Sequence, residues 1–306
     1  MKQKDKVVTK EFTKNSIIPF DKREGKIWLN GEFIEWGDAS VHILSHGLNY
    51  GSSVFEGIRI YNGRAFKLKE HLERLKNSAK TLGFELEFNV DEMLDATNQL
   101  INLNNLSSGY IRPLAWRGAE TMLISGDDCK INLAIAAWKS FEQTRNEARL
   151  KGVDLCISDW RKPASDASPY FTKASCIYTV ATIIKNAATA KGFDDAIILD
   201  GSGYITESST SNFFAVFGNE LHTPVPDCFL DGITRQTVIE LAKANDIPVV
   251  ERKIKPEELA NADAAFLTGT AIEIMSIASI DGYNFNVKDT LVNKIWNLYH
   301  TFAVGE

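Results

Sequence analysis

The chain has 306 residues, is 44% apolar and carries a formal net charge of −6. That length buries most of what an unfolded chain exposes, enough for two packed domains or one large one. The charge leaves no face-wide excess of Lys and Arg to neutralise phosphates, which excludes a general nucleic-acid binder and leaves anionic ligands to local arginines. The cysteines Cys129, Cys156, Cys176 and Cys228 lie far apart without a CxxC pair, so neither a disulfide framework nor a metal cluster is expected. No apolar run approaches the roughly 18 residues of a membrane span, and the first 21 residues lack an apolar h-region. The expectation is a cytoplasmic protein with no membrane and no nucleic-acid partner.

In chain order, residues 1–25 read as a flexible arm, followed by a small domain over 26–138. Asn30-Gly31 and Asn62-Gly63, each between apolar stretches, predict two-residue hairpins over 26–33 and 54–68. Leu68, Leu72, Leu75, Ala79 and Leu82 recur at helical spacing until Gly83, and residues 91–104 repeat the pattern more weakly. Residues 110–116 and 131–138 are strand-like, which predicts an antiparallel sheet with helices against it. The abrupt polar stretch 139–150 predicts an interdomain linker, and 151–306 a larger second domain. There, strands are expected at 153–158, 196–200, 204–206, 212–217, 249–254 and 264–267, with helices near 174–191, at 234–244 and from Asp289. The class is α+β, with strands mostly in hairpins.

Four features of the second half share one chemistry. Lys173 is flanked by Tyr170, Phe171, Cys176, Ile177 and Tyr178, and apolar surroundings favour the free amine that attacks an aldehyde. Glu207 follows a hairpin and precedes Ser208-Ser209-Thr210-Ser211-Asn212, small residues that let a flat ring approach a carboxylate able to keep a ring nitrogen protonated. Gly232-Ile233-Thr234 and Thr268-Gly269-Thr270 offer backbone N–H groups to a phosphate. Taken singly, Thr234 reads as an N-cap with Arg235 solvated, Thr268-Gly269-Thr270 as a plain turn, Arg74 as an exposed helix charge, and Tyr110 with Arg112 as a half-buried strand pair. Together they point to a phosphate-bearing aldehyde cofactor, pyridoxal 5'-phosphate. His42 and His46 have helical spacing but no HExxH carboxylate, so no metal is expected.

These segments resemble the branched-chain amino-acid aminotransferases of the fold-type IV pyridoxal-phosphate enzymes, over about residues 26–290. The matching blocks are Tyr50-Gly51-Ser52-Ser53-Val54-Phe55-Glu56-Gly57-Ile58-Arg59, His71-Leu72-Glu73-Arg74-Leu75, Tyr110-Ile111-Arg112-Pro113, Lys173-Ala174 with Tyr178, Ile205-Thr206-Glu207, 230–235 and 268–271. The resemblance implies the two-domain fold-type IV architecture and a homodimer or higher homo-oligomer. It implies transamination between an L-amino acid with an apolar, branched side chain and 2-oxoglutarate. By it, Lys173 is the Schiff-base lysine and proton shuttle, Glu207 pairs with the ring nitrogen and Tyr178 supports the phenolic oxygen. Arg74 and Thr270, with the backbone of Ile233 and Thr234, are implied to hold the phosphate. Tyr110, Arg112 and the Thr270-Ala271 backbone would take substrate carboxylates, with Arg59 a further candidate, while Tyr50, Phe55 and Tyr178 would wall the side-chain pocket.

The departures from the family lie where substrates are chosen. Ser140 and Gln143 stand where relatives carry aromatic linker residues, with Phe141 between them, and Ile272-Glu273 and Met275-Ser276 replace Ala-Glu and Thr-Pro. A non-catalytic cofactor-binding scaffold is an alternative that the retained Lys173, Glu207 and Tyr178 argue against, whereas a D-amino-acid aminotransferase or an aminodeoxychorismate lyase would share Lys173 and Glu207. The blocks around Phe55 and Tyr110 favour the branched-chain group.

Overall fold

The computed structural model describes residues 18–140 and 149–305. Its first sheet grows from the two Asn-Gly hairpins. Strands β1 (Lys26–Leu29) and β2 (Glu32–Glu35) turn through Asn30 (φ +49°) and Gly31 (φ +99°). After a short helix α1 (His46–Tyr50) and strand β3 (Ser53–Phe55), strands β4 (Ile58–Tyr61) and β5 (Arg64–Ala65) turn through Asn62 (φ +50°) and Gly63 (φ +75°). Positive φ at both central positions suits the strand twist, and Asn and Gly accept it at little cost. Helices α2 (Leu68–Thr81) and α3 (Val90–Leu103) follow, α3 opening on an Asn89/Glu92 capping box. With β6 (Gly109–Arg117) and β7 (Ile131–Trp138) the seven-stranded sheet runs β2-β1-β7-β6-β4-β5, with β3 also on β6, antiparallel throughout. Leu68, Leu72, Leu75 and Ala79 meet Ile58, Ile60, Ile111 and Ile135 in one core.

The strand expected over 54–61 is two strands, broken at Glu56-Gly57. Glu56 turns inward to charged partners, and Gly57 lies so close beneath Tyr110 that a Cβ there would meet its hydroxyl at 1.8 Å. Only glycine fits. Residues 1–17 of the expected arm lie outside the described residues, but its end is seated. Phe20 stands edge-on to Trp138 at 5.2 Å, its carbonyl accepts from Trp36 Nε1, and Arg23 lies 3.8 Å over its ring. Of the expected linker, residues 141–148, including Phe141 and Gln143, lie outside the described residues.

The second half contains β8 (Val153–Lys162), α4 (Tyr178–Ala190), β9 (Asp195–Asp200), β10 (Ile205–Ser208), β11 (Asn212–Phe217) and β12 (Glu220–Thr223). It continues through α5 (Ile233–Ala244), β13 (Val249–Glu251), β14 (Ala264–Gly269), β15 (Glu273–Ile280), β16 (Tyr283–Asn284) and α6 (Thr290–Val304), capped by Asp289. The strand order is β10-β9-β8-β15-β14-β11-β12-β13, and β10 also pairs with β11 through Glu207 and Asn212. The sheet thereby closes on itself. Strand alternation separates the surfaces: Leu155, Ile197, Ile205, Phe213, Leu267 and Ile277 fill the ring's interior. Phe214, Phe266 and Ile274 meet α5 and α6 outside it, while Cys156, Ala196 and Ile198 meet α4. Hairpins do not account for the centre of this sheet. β8 runs parallel to both β9 and β15; for β9 the crossover through α4 brings the chain back in the same direction.

Candidate active site

Lys173 follows β8 in sequence but is fixed by the first half. Val54 of β3 bridges Ala174, the Phe55 amide donates to the Lys173 carbonyl (3.1 Å), and the Lys173 amide donates to Ser78 Oγ of α2 (3.1 Å). With its backbone pinned, Lys173 Nζ donates to the Tyr178 hydroxyl at 2.7 Å and lies 5.0 Å from the centre of the Phe55 ring. Of the apolar neighbours expected from sequence, Tyr178 is in contact, whereas Phe171 and Cys176 are exposed.

Glu207 is buried. Its Oε1 accepts from Lys162 Nζ (2.7 Å) and its Oε2 from Asn212 Nδ2 (3.1 Å). Burial pushes its carboxyl above the usual carboxylate range, and the Lys162 charge counters this only in part. Asn212 also donates to the Leu230 carbonyl (2.9 Å) and accepts from the Gly232 amide (3.1 Å), tying Glu207 to the start of α5.

At that start, helix geometry leaves the first-turn amides of Ile233, Thr234 and Arg235 without intrahelical acceptors, and no side chain caps them. Arg74 reaches the same point from α2, with Nη1 3.4 Å from the Asp231 carbonyl. It is aimed by Glu56, which accepts from Arg74 Nε at 2.7 Å and Nη2 at 2.8 Å and contacts His71 Nδ1 at 2.7 Å. Burial alone would raise the Glu56 carboxyl. The Arg74 charge and the bonds from Arg74 and His71 override it and hold that carboxyl well below the usual range. Arg235 is buried rather than solvated, bonded to Asp231 (2.8 Å) and Glu251 (2.7 Å), and so anchors the first turn of α5.

Arg74, Lys173, Tyr178, Glu207, Ile233, Thr234 and Thr270 all line one cleft. Thr268 Oγ1, on the same cleft, is buried without a hydrogen-bond partner among the described residues. Beside it, Phe55 stands edge-on to Tyr178 at 4.7 Å, and Arg112 lies 4.7 Å over Phe55 and 5.6 Å over Tyr110. Ala271 is exposed next to Thr270.

Two expected residues are placed elsewhere. Arg59 is buried at 2% exposure against Glu273 (3.5 Å), opposite Tyr110 in the β4–β6 pairing and outside the residues that line the cleft. Tyr50 is exposed, with its hydroxyl on the Met122 carbonyl (3.2 Å), and lines a separate hollow with Leu48, Trp116 and Cys176. His46 contacts Ser52 Oγ and the Leu123 carbonyl, and His42 Nδ1 accepts from the Leu44 amide. Sequence reasoning missed Glu56, Lys162 and Asn212 as site residues. Only Glu56 carried a signal, as the charge inside an otherwise apolar stretch.

A family model described as Amino-transferase class IV matches residues 53–280. A probable branched-chain-amino-acid aminotransferase of Rickettsia felis is 44% identical over 255 residues, covering 83% of this chain and 87% of that protein. The Escherichia coli branched-chain amino acid aminotransferase structure superposes with TM-score 0.89 at 36% identity, covering 93% of this chain and 96% of that one. A branched-chain amino acid aminotransferase from Thermobaculum terrenum in its PLP form gives 0.84 at 30% identity, over 92% and 94%. The chain belongs to the class IV aminotransferases. Within that family it is similar to the branched-chain amino-acid enzymes.

Proposed function

We propose that the chain transfers amino groups between L-amino acids with branched, apolar side chains and 2-oxoglutarate, using pyridoxal 5'-phosphate held in the Lys173 cleft. One observation carries this reading: a lysine, a buried carboxylate and an uncapped helix start with an arginine beside it all line a single cleft. When bound, the cofactor supplies an aldehyde carbon and a ring that draws electrons away from the substrate's Cα. Arg74, the Ile233 and Thr234 amides and Thr270 hold its phosphate. Glu207 holds the proton of its ring nitrogen, and Tyr178 holds its phenolic oxygen. Lys173 Nζ, kept in place by the 2.7 Å bond to Tyr178, is the base that takes the substrate's Cα proton and the acid that returns one.

Phe55, Tyr110 and Tyr178 wall the substrate's side chain, and Arg112 with the Thr270-Ala271 turn takes its carboxylate, since a guanidinium matches a carboxylate with two parallel bonds. On this reading the two sheets are two domains, 26–138 and 151–306, joined by the linker 139–150. The free thiols of Cys129, Cys156, Cys176 and Cys228 fit a cytoplasmic location. Among the described residues no helix is long and apolar enough to cross a membrane. A homodimer is supported by exposed Val41, Ile43, Leu44 and Leu48 near Met122, Leu123 and Ile124. Following glutamate formation from 2-oxoglutarate tests the substrate assignment: leucine, isoleucine and valine are expected to be donors, and a requirement for D-amino acids would overturn it.

A further inference from the structure

Lys162 is an unusual residue to find behind a cofactor cleft. Only 8% exposed, it meets a Glu207 that is 7% exposed, at 2.7 Å. Lysine is almost never buried unless paired, and a buried ion pair is seldom a stability device, because desolvation offsets the attraction. Its position is specific. Strands β8 and β9 pair regularly up to Ile157, then shift register, and the irregularity sets Lys162 opposite Asp200, at the end of β8 where its ammonium reaches Glu207. Such bulges re-aim side chains next to active sites. The Lys162 ammonium also lies 4.8 Å over the Tyr170 ring, which gives the cation a second stabilising surface.

The charged groups around Glu207 come from three elements: Lys162 on β8, Lys173 before α4 and Asp195 on β9. Asn212 on β11 is a neutral donor. Lys173 is committed to Tyr178 and to the moving proton. Asp195 is occupied by Ser209 (2.8 Å) and Lys185 (3.6 Å), and its charge opposes ionisation of Glu207. Among the described residues, Lys162 is the cation in contact with the carboxylate.

We infer that Lys162 is a positioning residue for the reaction: its ammonium keeps Glu207 ionised, so that the proton shared between Glu207 and the cofactor's ring nitrogen stays on the ring. The inference rests on the cofactor reading above. A buried carboxylate without a cation beside it prefers its neutral form. It would then retain the shared proton and leave the ring nitrogen uncharged, a weaker electron sink. The ion pair biases the same proton the other way without touching the substrate.

The test uses 4'-deoxypyridoxine 5'-phosphate, which has the ring and phosphate but no aldehyde, and whose absorbance reports whether its ring nitrogen is protonated. Bound to the unaltered protein, its ring is expected to stay protonated through neutral pH. In Lys162→Met the midpoint of that titration should fall by at least about one pH unit, a tenfold loss of proton affinity, and Lys162→Arg should restore it. Lys162→Gln, which keeps a donor but no charge, makes the same measurement if the Met variant does not fold. No binding of the probe to the unaltered protein would overturn the cofactor reading itself. Binding with an uncharged ring at neutral pH, or with the same midpoint in the neutral variants, would leave Lys162 as a structural partner and overturn this inference alone.

Discussion

Arg74 spends two of its guanidinium nitrogens on Glu56 and keeps the third at the start of α5. Losing a charge-assisted hydrogen bond costs about 1.5–3 kcal/mol, so Arg74→Ala is expected to weaken pyridoxal phosphate binding roughly tenfold or more. Unchanged affinity in a fluorescence titration would return Arg74 to a purely structural role. Glu56→Ala removes the partner instead and leaves a buried guanidinium uncompensated, a loss of about 3–5 kcal/mol. That loss depends on pH in a defined sense. The Glu56 carboxyl is depressed in the folded chain, so its contribution is fully present above its unfolded value of about 4.3 and drains away as pH falls toward the folded one. Urea unfolding midpoints of the parent and Glu56→Ala should therefore converge below about pH 4. A gap that stays constant with pH would contradict the assignment.

Elements governed by local chemistry were legible in the sequence. The Asn30-Gly31 and Asn62-Gly63 turns follow from the φ those residues accept, and the α2 stripe from its spacing. Elements defined by distant partners were not. The eight-residue strand β15 has most of its residues buried, so its sequence does not alternate as a half-exposed strand would. The ring closes because β11 pairs with β14 and β15 with β8, segments far apart in the chain whose meeting no window of sequence displays. In the site, Lys173, Glu207 and the α5 start were legible only in combination and through the family resemblance, because each residue type alone is common on a surface or at a helix start. Lys162 was not, because Trp160-Arg161-Lys162-Pro163 reads as a basic surface run and only the shifted β8 register buries its lysine.

The linker element carries its own prediction. Ser140 stands where the family resemblance leads one to expect an aromatic residue, and the proposed substrate wall is Phe55, Tyr110 and Tyr178, with Trp138 behind Tyr110 at 5.2 Å. One methylene in a closed apolar pocket discriminates by about 1–3 kcal/mol, and on the proposed reading a linker without that aromatic residue should fall at or below the lower end. The expected profile is flat across Leu, Ile and Val, sharpened by Ser140→Trp. A parent preference above about a hundredfold in kcat/KM, nearly 3 kcal/mol, would contradict it.

For the whole molecule, the exposed side chains of Val41, Ile43, Leu44, Leu48, Met122, Leu123 and Ile124 give a surface that a second copy would cover. Sedimentation of the parent is expected to give a dimer or larger, and Ile43→Asp combined with Ile124→Asp a smaller species. A parent that sediments as a monomer would contradict this. The central claim also belongs to this scale, because the first sheet, through β3 and α2, fixes the backbone of a lysine that belongs to the second half. Borohydride reduction of the cofactor-loaded protein, followed by peptide mapping, tests it most directly. The account predicts a pyridoxyl adduct on Lys173 and none in Lys173→Ala. An adduct on Lys162, Lys185 or Lys191 in the parent would contradict it.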